Sequence, residues 1–492
     1  STETTSHIGL SREEKVSQLL HQTETWSSPV LQSHAAQELE YDALINAINY
    51  SHTPLGKHGL YKLLQPTDDI NVIYHKQAQI QQLINNPDLL NELSHQLDTI
   101  NYNIDNLLMH WGENNLLSEK DTQMLKYELA TYIFPNINKS RWAHELHIWG
   151  TPLPSFLAGS ITHLYASLAN ADIPTQSYLY AYAAINYGVA AYILYRTFTP
   201  IHRLHENLAG ISDALHSANY MRTICAKHLR NYSNNIHFQQ DINKKLYTNL
   251  LSTTFYAESY LYDRGTVLST HEFLLEYKNQ LLSVLEYISD VDALVSCAKL
   301  YKAHQDNNAN TFCFANIMPK KTTPYINLQA FWTPLLSANQ AINNNISIHK
   351  NNIILTGPNG IGKSTAMKGV THTVMLAQSI GLAPAHSADI SLFNTINTYL
   401  NIREDIHSNL SSFMAEKKRI DEFYHEVPHL SGNTLYLIDE PFRGTFADEA
   451  EKRVYRFGEF IDQYPNVTML MATHFERPTG LAQHHRYTNY HI

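Results

Sequence analysis

The stretch that most constrains this chain runs from Asn352 to Thr365: Asn-Ile-Ile-Leu-Thr-Gly-Pro-Asn-Gly-Ile-Gly-Lys-Ser-Thr. Its apolar run (Ile353, Ile354, Leu355) ends at Thr356, and Gly357 to Ser364 then fits G-x-x-x-x-G-K-[ST], a phosphate-binding loop set between a strand and a helix. Gly357, Gly360 and Gly362 let the backbone curl around Pro358, Asn359 and Ile361 so that N–H groups face phosphates. Lys363 reaches the β and γ phosphates, and Ser364 can ligand Mg²⁺. The following helix, which begins near Ser364 and carries Thr365 in its first turn, adds the partial positive charge of its N-terminus. Gly357 to Thr365 are therefore the candidate nucleotide-binding residues.

At 492 residues the chain exceeds one ordinary domain, so two to four are expected, and 43% hydrophobic content is enough for real cores. A formal net charge of -10 argues against a surface that is basic throughout and leaves only a local basic groove for nucleic acid. Cys225, Cys297 and Cys313 lie far apart without C-x-x-C spacing, so neither a disulfide framework nor a metal cluster is expected. With no signal-like apolar core after a basic start, a reducing, cytoplasmic setting fits best. Ile173 to Tyr195 carries no charged residue and could span a bilayer by length, but Gln176, Asn186 and several tyrosines weaken it. Leu146 to Ala171 before it is also uncharged. The expectation is an apolar helical hairpin within 146–205, buried against a helical domain, with membrane association as the alternative.

In chain order, residues 1–38 read as a loose N-terminal arm with a helix from Ser11, where Ser-Arg-Glu-Glu resembles a capping box. From Leu39 apolar residues recur at helical spacing, Thr53-Pro54-Leu55-Gly56 reads as a turn, and Pro87 opens another helix. Everything to about Cys297 reads as α-helical, ending in a long packed helix over about Leu275 to Leu300. Beyond polar breaks at Asp306–Asn310 and Pro319–Pro324, helix and strand segments alternate as in a parallel sheet with crossover helices, and the main boundary falls near Thr322. The fold class is multidomain: an α-helical core over 39–321, then an α/β phosphate-loop domain over 322–492.

About 75 residues past the loop, Leu435-Tyr-Leu-Ile-Asp439-Glu440 is a buried strand presenting two carboxylates at its C-terminal end, where α/β sheets place their chemistry. Asp439 is suited to the Mg²⁺ shell, and Glu440 to polarising an attacking water. A third strand, Val467 to Ala472, ends at Thr473 and His474, which puts an imidazole near a γ-phosphate.

Thr356-Gly-Pro-Asn-Gly-Ile-Gly-Lys-Ser-Thr365, Ala377-Gln378 with Gly381 and Pro384-Ala385, Leu410-Ser-Ser-Phe-Met-Ala-Glu416, Asp439-Glu440 with Arg443-Gly-Thr445, and Ala472-Thr-His-Phe475 together resemble the ATPase domain of the MutS family of mismatch-repair proteins. The Ser-Phe-Met-x-Glu segment is the most diagnostic. Upstream, Leu39-Glu-Tyr-Asp with Thr53-Pro-Leu-Gly56, and Ile288-Ser-Asp-Val-Asp-Ala-Leu294, are similar to the family's helical core and lever helices. The likeness covers about Leu39 to Glu145 and Glu276 to about Leu481.

The resemblance implies an ABC-like ATPase using ATP and Mg²⁺, with Lys363, Glu440 and His474 acting on the γ-phosphate. It also implies a homodimer whose ATPase domains face one another, Ser411 completing the partner's site, and DNA as the engaged partner. The chain departs from the family in leaving no room for the mismatch-reading and connector domains. Ala341 or Ile342 stands where the family usually stacks an aromatic on adenine. The implied protein is a short form without mismatch specificity; a switched assembly on a protein or membrane surface is the alternative.

Overall fold

Among the described residues, named strands begin only at Cys313. Before it the computed structural model is helical, and it describes residues 11–20, 28–109, 136–169, 172–229, 238–256, 263–305, 310–318, 323–337, 339–358, 360, 362–400, 412–442 and 446–491. The capping box forms: Ser11 N donates to Glu14 Oε2 at 2.7 Å and Glu14 N to Ser11 Oγ at 3.2 Å, closing the start of the helix Arg12–Leu20. Pro87 opens the helix Pro87–Tyr102. The turn expected at Thr53 to Gly56 is instead a helix start. Pro54 is the first residue of Pro54–Leu63, because its fixed φ suits a helical first position whose N–H needs no partner.

The chain divides into two compact units, one of residues 1–21, 52–55 and 92–288, the other of 22–51, 56–91 and 289–492. The second holds the sheets. Its strands are β1 (Cys313–Phe314), β2 (Asn316–Met318), β3 (Tyr325–Phe331), β4 (Asn344–His349), β5 (Asn352–Thr356), β6 (Leu382–Ala383), β7 (Ser387–Ser391), β8 (Thr395–Tyr399), β9 (Thr434–Asp439), β10 (Val467–Ala472) and β11 (Tyr487–His491). The main sheet has the order β11-β5-β10-β9-β8 and every pair in it is parallel. β9 and β10 are buried along their whole length, as their apolar runs require. A second sheet, β2-β7-β3-β4, mixes parallel and antiparallel pairs, and β1 pairs with β6.

Helices from early in the chain belong to this unit. Leu31 bridges to Ile396 beside β8, and Glu38 accepts from Thr398 Oγ1 and Leu400 N, so the stretch expected as a loose arm is fixed along 28–38. The helix Lys363–Ile380 is buried almost all round; within it His372 bonds Leu39 O at 2.8 Å and Thr333 Oγ1 at 3.1 Å. Pro54–Leu63 passes close to the helix Leu282–Ala303. A Cβ on Gly56 would lie 2.1 Å from Asp292 Oδ2, and one on Gly59 would lie 2.2 Å from the carbonyl oxygen of Ser289.

In the other unit the apolar hairpin forms from Leu153–Leu168 and Ile173–His228. The two helices meet through small residues: Gly159 packs at the Ala183 carbonyl and the Tyr187 ring, and Ala166, Ala183 and Ala190 are buried. The outward side chains are exposed, which corrects the expectation that the hairpin is buried. A 56-residue helix is about 84 Å long at 1.5 Å per residue. Its side chains are buried mainly from Thr197 onward; before that only Ala183 and Ala190 are buried. Among the described residues no helix is long and apolar enough to cross a membrane.

Candidate nucleotide-binding site

β5 carries Ile353 and Ile354, both fully buried, up to the loop. Gly360 and Gly362 have φ of 83° and 102°, in the left-handed region that glycine adopts without strain, and a Cβ at either would meet nothing within 4 Å. The backbone there faces open space, the cradle a phosphate needs. Gly362 is the N-cap of Lys363–Ile380, so the helix's unpaired N–H groups point to the same place. Lys363 Nζ donates to the carbonyls of Gly357 at 2.8 Å and Pro358 at 3.0 Å, folding a nearly buried ammonium across its own loop.

The strand order brings the other candidates to this loop. β10 lies between β5 and β9, with Ala472 level with both Leu355 and Asp439. Glu440 N donates to Ala472 O at 2.9 Å and Thr473 N to Leu355 O at 3.1 Å, which ties the three strand ends together. Ser364 Oγ donates to Asp439 Oδ2 at 2.5 Å. Asp439 Oδ1 is buried with no hydrogen-bond partner among the described residues. A hydroxyl and a carboxylate with one oxygen to spare are the hard donors that Mg²⁺ takes, and the pair fits that ion. His474 Nδ1 lies 3.9 Å from Glu440 Oε2. Glu440 and Phe442 have φ of 48° and 66° on either side of Pro441, a left-handed path costing on the order of 1–3 kcal/mol per residue.

Gly357, Pro358, Gly360, Gly362, Lys363, Ser364 and Thr365 thus share one loop and helix start, next to Asp439, while Glu440 and His474 form a neighbouring pair. Asn359, Ile361 and Ser411 lie outside the described residues, as does Arg443-Gly-Thr445. One group went unassigned in the sequence. Tyr399 OH donates to Glu416 Oε1 at 2.8 Å, and Arg419 Nη2 to Thr398 O at 2.9 Å, so the helix Ser412–Glu426 is tied to β8. Burial pushes the Glu38 carboxyl up, against the bonds from Thr398 and Leu400 that pull it down. Glu416 stood inside the Ser-Phe-Met-x-Glu segment, which was the available signal; nothing local pointed to Glu38 or Tyr399.

A parallel sheet with a phosphate loop after one strand and an acidic pair after another defines a nucleotide-binding domain of the phosphate-loop class. Residues 353–492 match the family model described as MutS domain V. Over these residues, less than a third of its length, the chain is similar to the MutS family. It is 30% identical over 200 residues to the DNA mismatch repair protein MutS of Haloquadratum walsbyi, which covers 40% of this chain and 20% of that protein. It is 28% identical over 220 residues to that of Leuconostoc mesenteroides, covering 44% and 24%, and 34% identical over 134 residues to that of Pseudothermotoga lettingae, covering 27% and 16%. The matched part thus spans a quarter or less of those relatives' length.

Proposed function

We propose that the chain is a Mg²⁺-dependent ATPase whose nucleotide state switches a homodimer. The observation that carries this reading is the Ser364–Asp439 hydrogen bond, which sets the phosphate loop against the acidic strand end. Gly357 to Thr365 cradle the phosphates, and Lys363 exchanges its two loop carbonyls for the β and γ oxygens. Ser364 and Asp439 hold Mg²⁺, which when bound neutralises phosphate charge. Glu440 orients the attacking water, and His474, at its side, senses the γ-phosphate. Ile342 is 76% exposed where an aromatic would stack on the base, so most of the affinity comes from the phosphates.

Ser411 completes the partner's site. In support of that role, the chain on either side of it is fixed by Glu38 at Leu400 and by Tyr399 at Glu416. Residues 39–321 act as the core and lever, after an arm over 1–38 and ahead of the ATPase domain over 322–492. They engage DNA without mismatch specificity, in a cytoplasmic setting; the names of the matched relatives support the DNA part of this reading. The second reading is a nucleotide-switched assembly on a protein or membrane surface, favoured by the net charge of -10 and the exposed hairpin.

The test is nucleotide binding plus ATPase rate against protein concentration, with and without DNA of several shapes. ATP binding that is lost in Lys363→Ala, with a specific rate that rises with concentration, is the expected result. Identical behaviour of Lys363→Ala and the wild type would overturn the ATPase, and a rate independent of concentration would overturn the composite site. Stimulation by one DNA form supports DNA as the partner; its absence with every form favours the second reading.

A further inference from the structure

The helical unit holds a cleft that the nucleotide site does not use. The helix Ile173–His228 lines it with Asp213, His216, Ser217 and Tyr220, whose spacing of three, one and three puts them on one face. From the helix Pro87–Tyr102, Gln96 and Thr99 line it as well. The cleft has a volume of about 670 Å³, the size of a small-molecule site, and its residues all belong to the unit of 1–21, 52–55 and 92–288. Its walls are pinned. Asn103 Nδ2 donates to Asp213 Oδ2 at 3.1 Å, and Ser212 Oγ to Leu250 O at 2.6 Å, beside Leu251, which also lines the cleft.

This lining is polar and its charge is unbalanced. Leu251 is the one aliphatic residue in it, and no lysine or arginine lines it. Burial pushes the half-buried Asp213 carboxyl up, against a smaller downward pull from His216. A carboxylate held in a cleft without a lysine or arginine beside it lacks the partner that would offset its lost hydration. Among the described residues, Asp213 Oδ1 and the side chains of Gln96 and Ser217 make no hydrogen bond, so their capacity is open to a ligand. A second carboxylate stands farther along: Tyr220 OH donates to Glu92, four residues before Gln96 on its helix. Asp213 and Tyr220 are seven residues apart, about 10 Å along the helix axis.

We propose that this cleft binds a linear polyamine, with one ammonium on Asp213 beside Gln96 and Ser217 and another on Glu92 beside the Tyr220 ring. Ammonium groups only donate, which suits acceptors at both ends, and a tyrosine face attracts a cation. Mg²⁺ is too compact to serve two carboxylates so far apart, and a neutral polyol would leave both charges unpaired.

This binding needs no nucleotide, so it stands or falls separately from the ATPase. The test is isothermal titration of the full chain with spermidine, putrescine and sorbitol, without nucleotide and at physiological ionic strength, which screens loose attraction to the net charge of -10. The wild type should bind one spermidine per chain, bind the shorter putrescine more weakly and not bind sorbitol. Asp213→Asn keeps an acceptor for Asn103 but loses the charge, and should weaken spermidine more than roughly tenfold while keeping its thermal transition. Glu92→Gln should bring spermidine down to the affinity of putrescine, and it tests the proposal even where Asp213→Asn fails to fold. The proposal is overturned by a wild type without saturable spermidine binding, by sorbitol binding as tightly as spermidine, or by either folded variant binding spermidine as the wild type does.

Discussion

Lys363, Ser364 and Asp439 are each held by a bond that a nucleotide complex would replace. The ammonium spends its donors on two carbonyls of its own loop, and the serine hydroxyl spends its proton on a carboxylate. The two bonds give the nearly buried ammonium and the half-buried hydroxyl partners, whereas an unmet buried polar group would cost about 1–3 kcal/mol. Replacing Asp439 with Ala should therefore weaken Mg²⁺-ATP binding while leaving Mg²⁺-free nucleotide binding largely in place, as read by titration with and without chelator. Glu440→Gln keeps the size of the side chain and its backbone bond to Ala472 but removes the charge that polarises water. It should bind ATP normally and lower single-turnover hydrolysis by about a hundredfold or more. Gly362→Ala forces a side chain to φ of 102°, so thermal unfolding should show a loss of roughly 1–2 kcal/mol even though space is open there.

At the scale of elements, the two close helix approaches are the sharpest constraints. Gly59 faces a backbone carbonyl, which cannot turn aside as a side chain could, so Gly59→Ala should destabilise by about 1–3 kcal/mol or more, seen as a lowered denaturation midpoint. The buried phosphate-loop helix adds an acid sensitivity. Burial lowers His372 to about 4, against the smaller upward pull of its bond to Leu39 O. Between that value and about 6.5 the unfolded chain binds a proton that the folded chain excludes. Stability from this group is thus complete above pH 6.5 and falls by up to about 3 kcal/mol as the pH drops to 4. Denaturant titrations should show that loss, and His372→Gln should flatten it. The sequence made the phosphate loop, β9 and β10 legible because a parallel strand buried on both faces is written as one apolar run. The mixed sheet was largely hidden, since its apolar alternation is confined to short pairs, Ile326 with Leu328 in β3 and Ile346 with Ile348 in β4. β2 has three residues and β7 reads Ser-Ala-Asp-Ile-Ser, too short or too polar to stand out. Glu38 reaching Leu400 was invisible because pairing across 362 residues leaves no local trace.

Taken whole, the chain joins a site of recognisable chemistry to a helical unit that carries an exposed apolar hairpin. The helix Ile173–His228 also carries Pro200, buried where the packed half of the rod begins. Proline has no N–H, so the carbonyl of Arg196 loses its helical partner at that point. The rod is continuous in shape but interrupted in its hydrogen-bond ladder. Amide hydrogen exchange along it should therefore step at residue 200, with fast exchange on the outer side and slow exchange on the inner side.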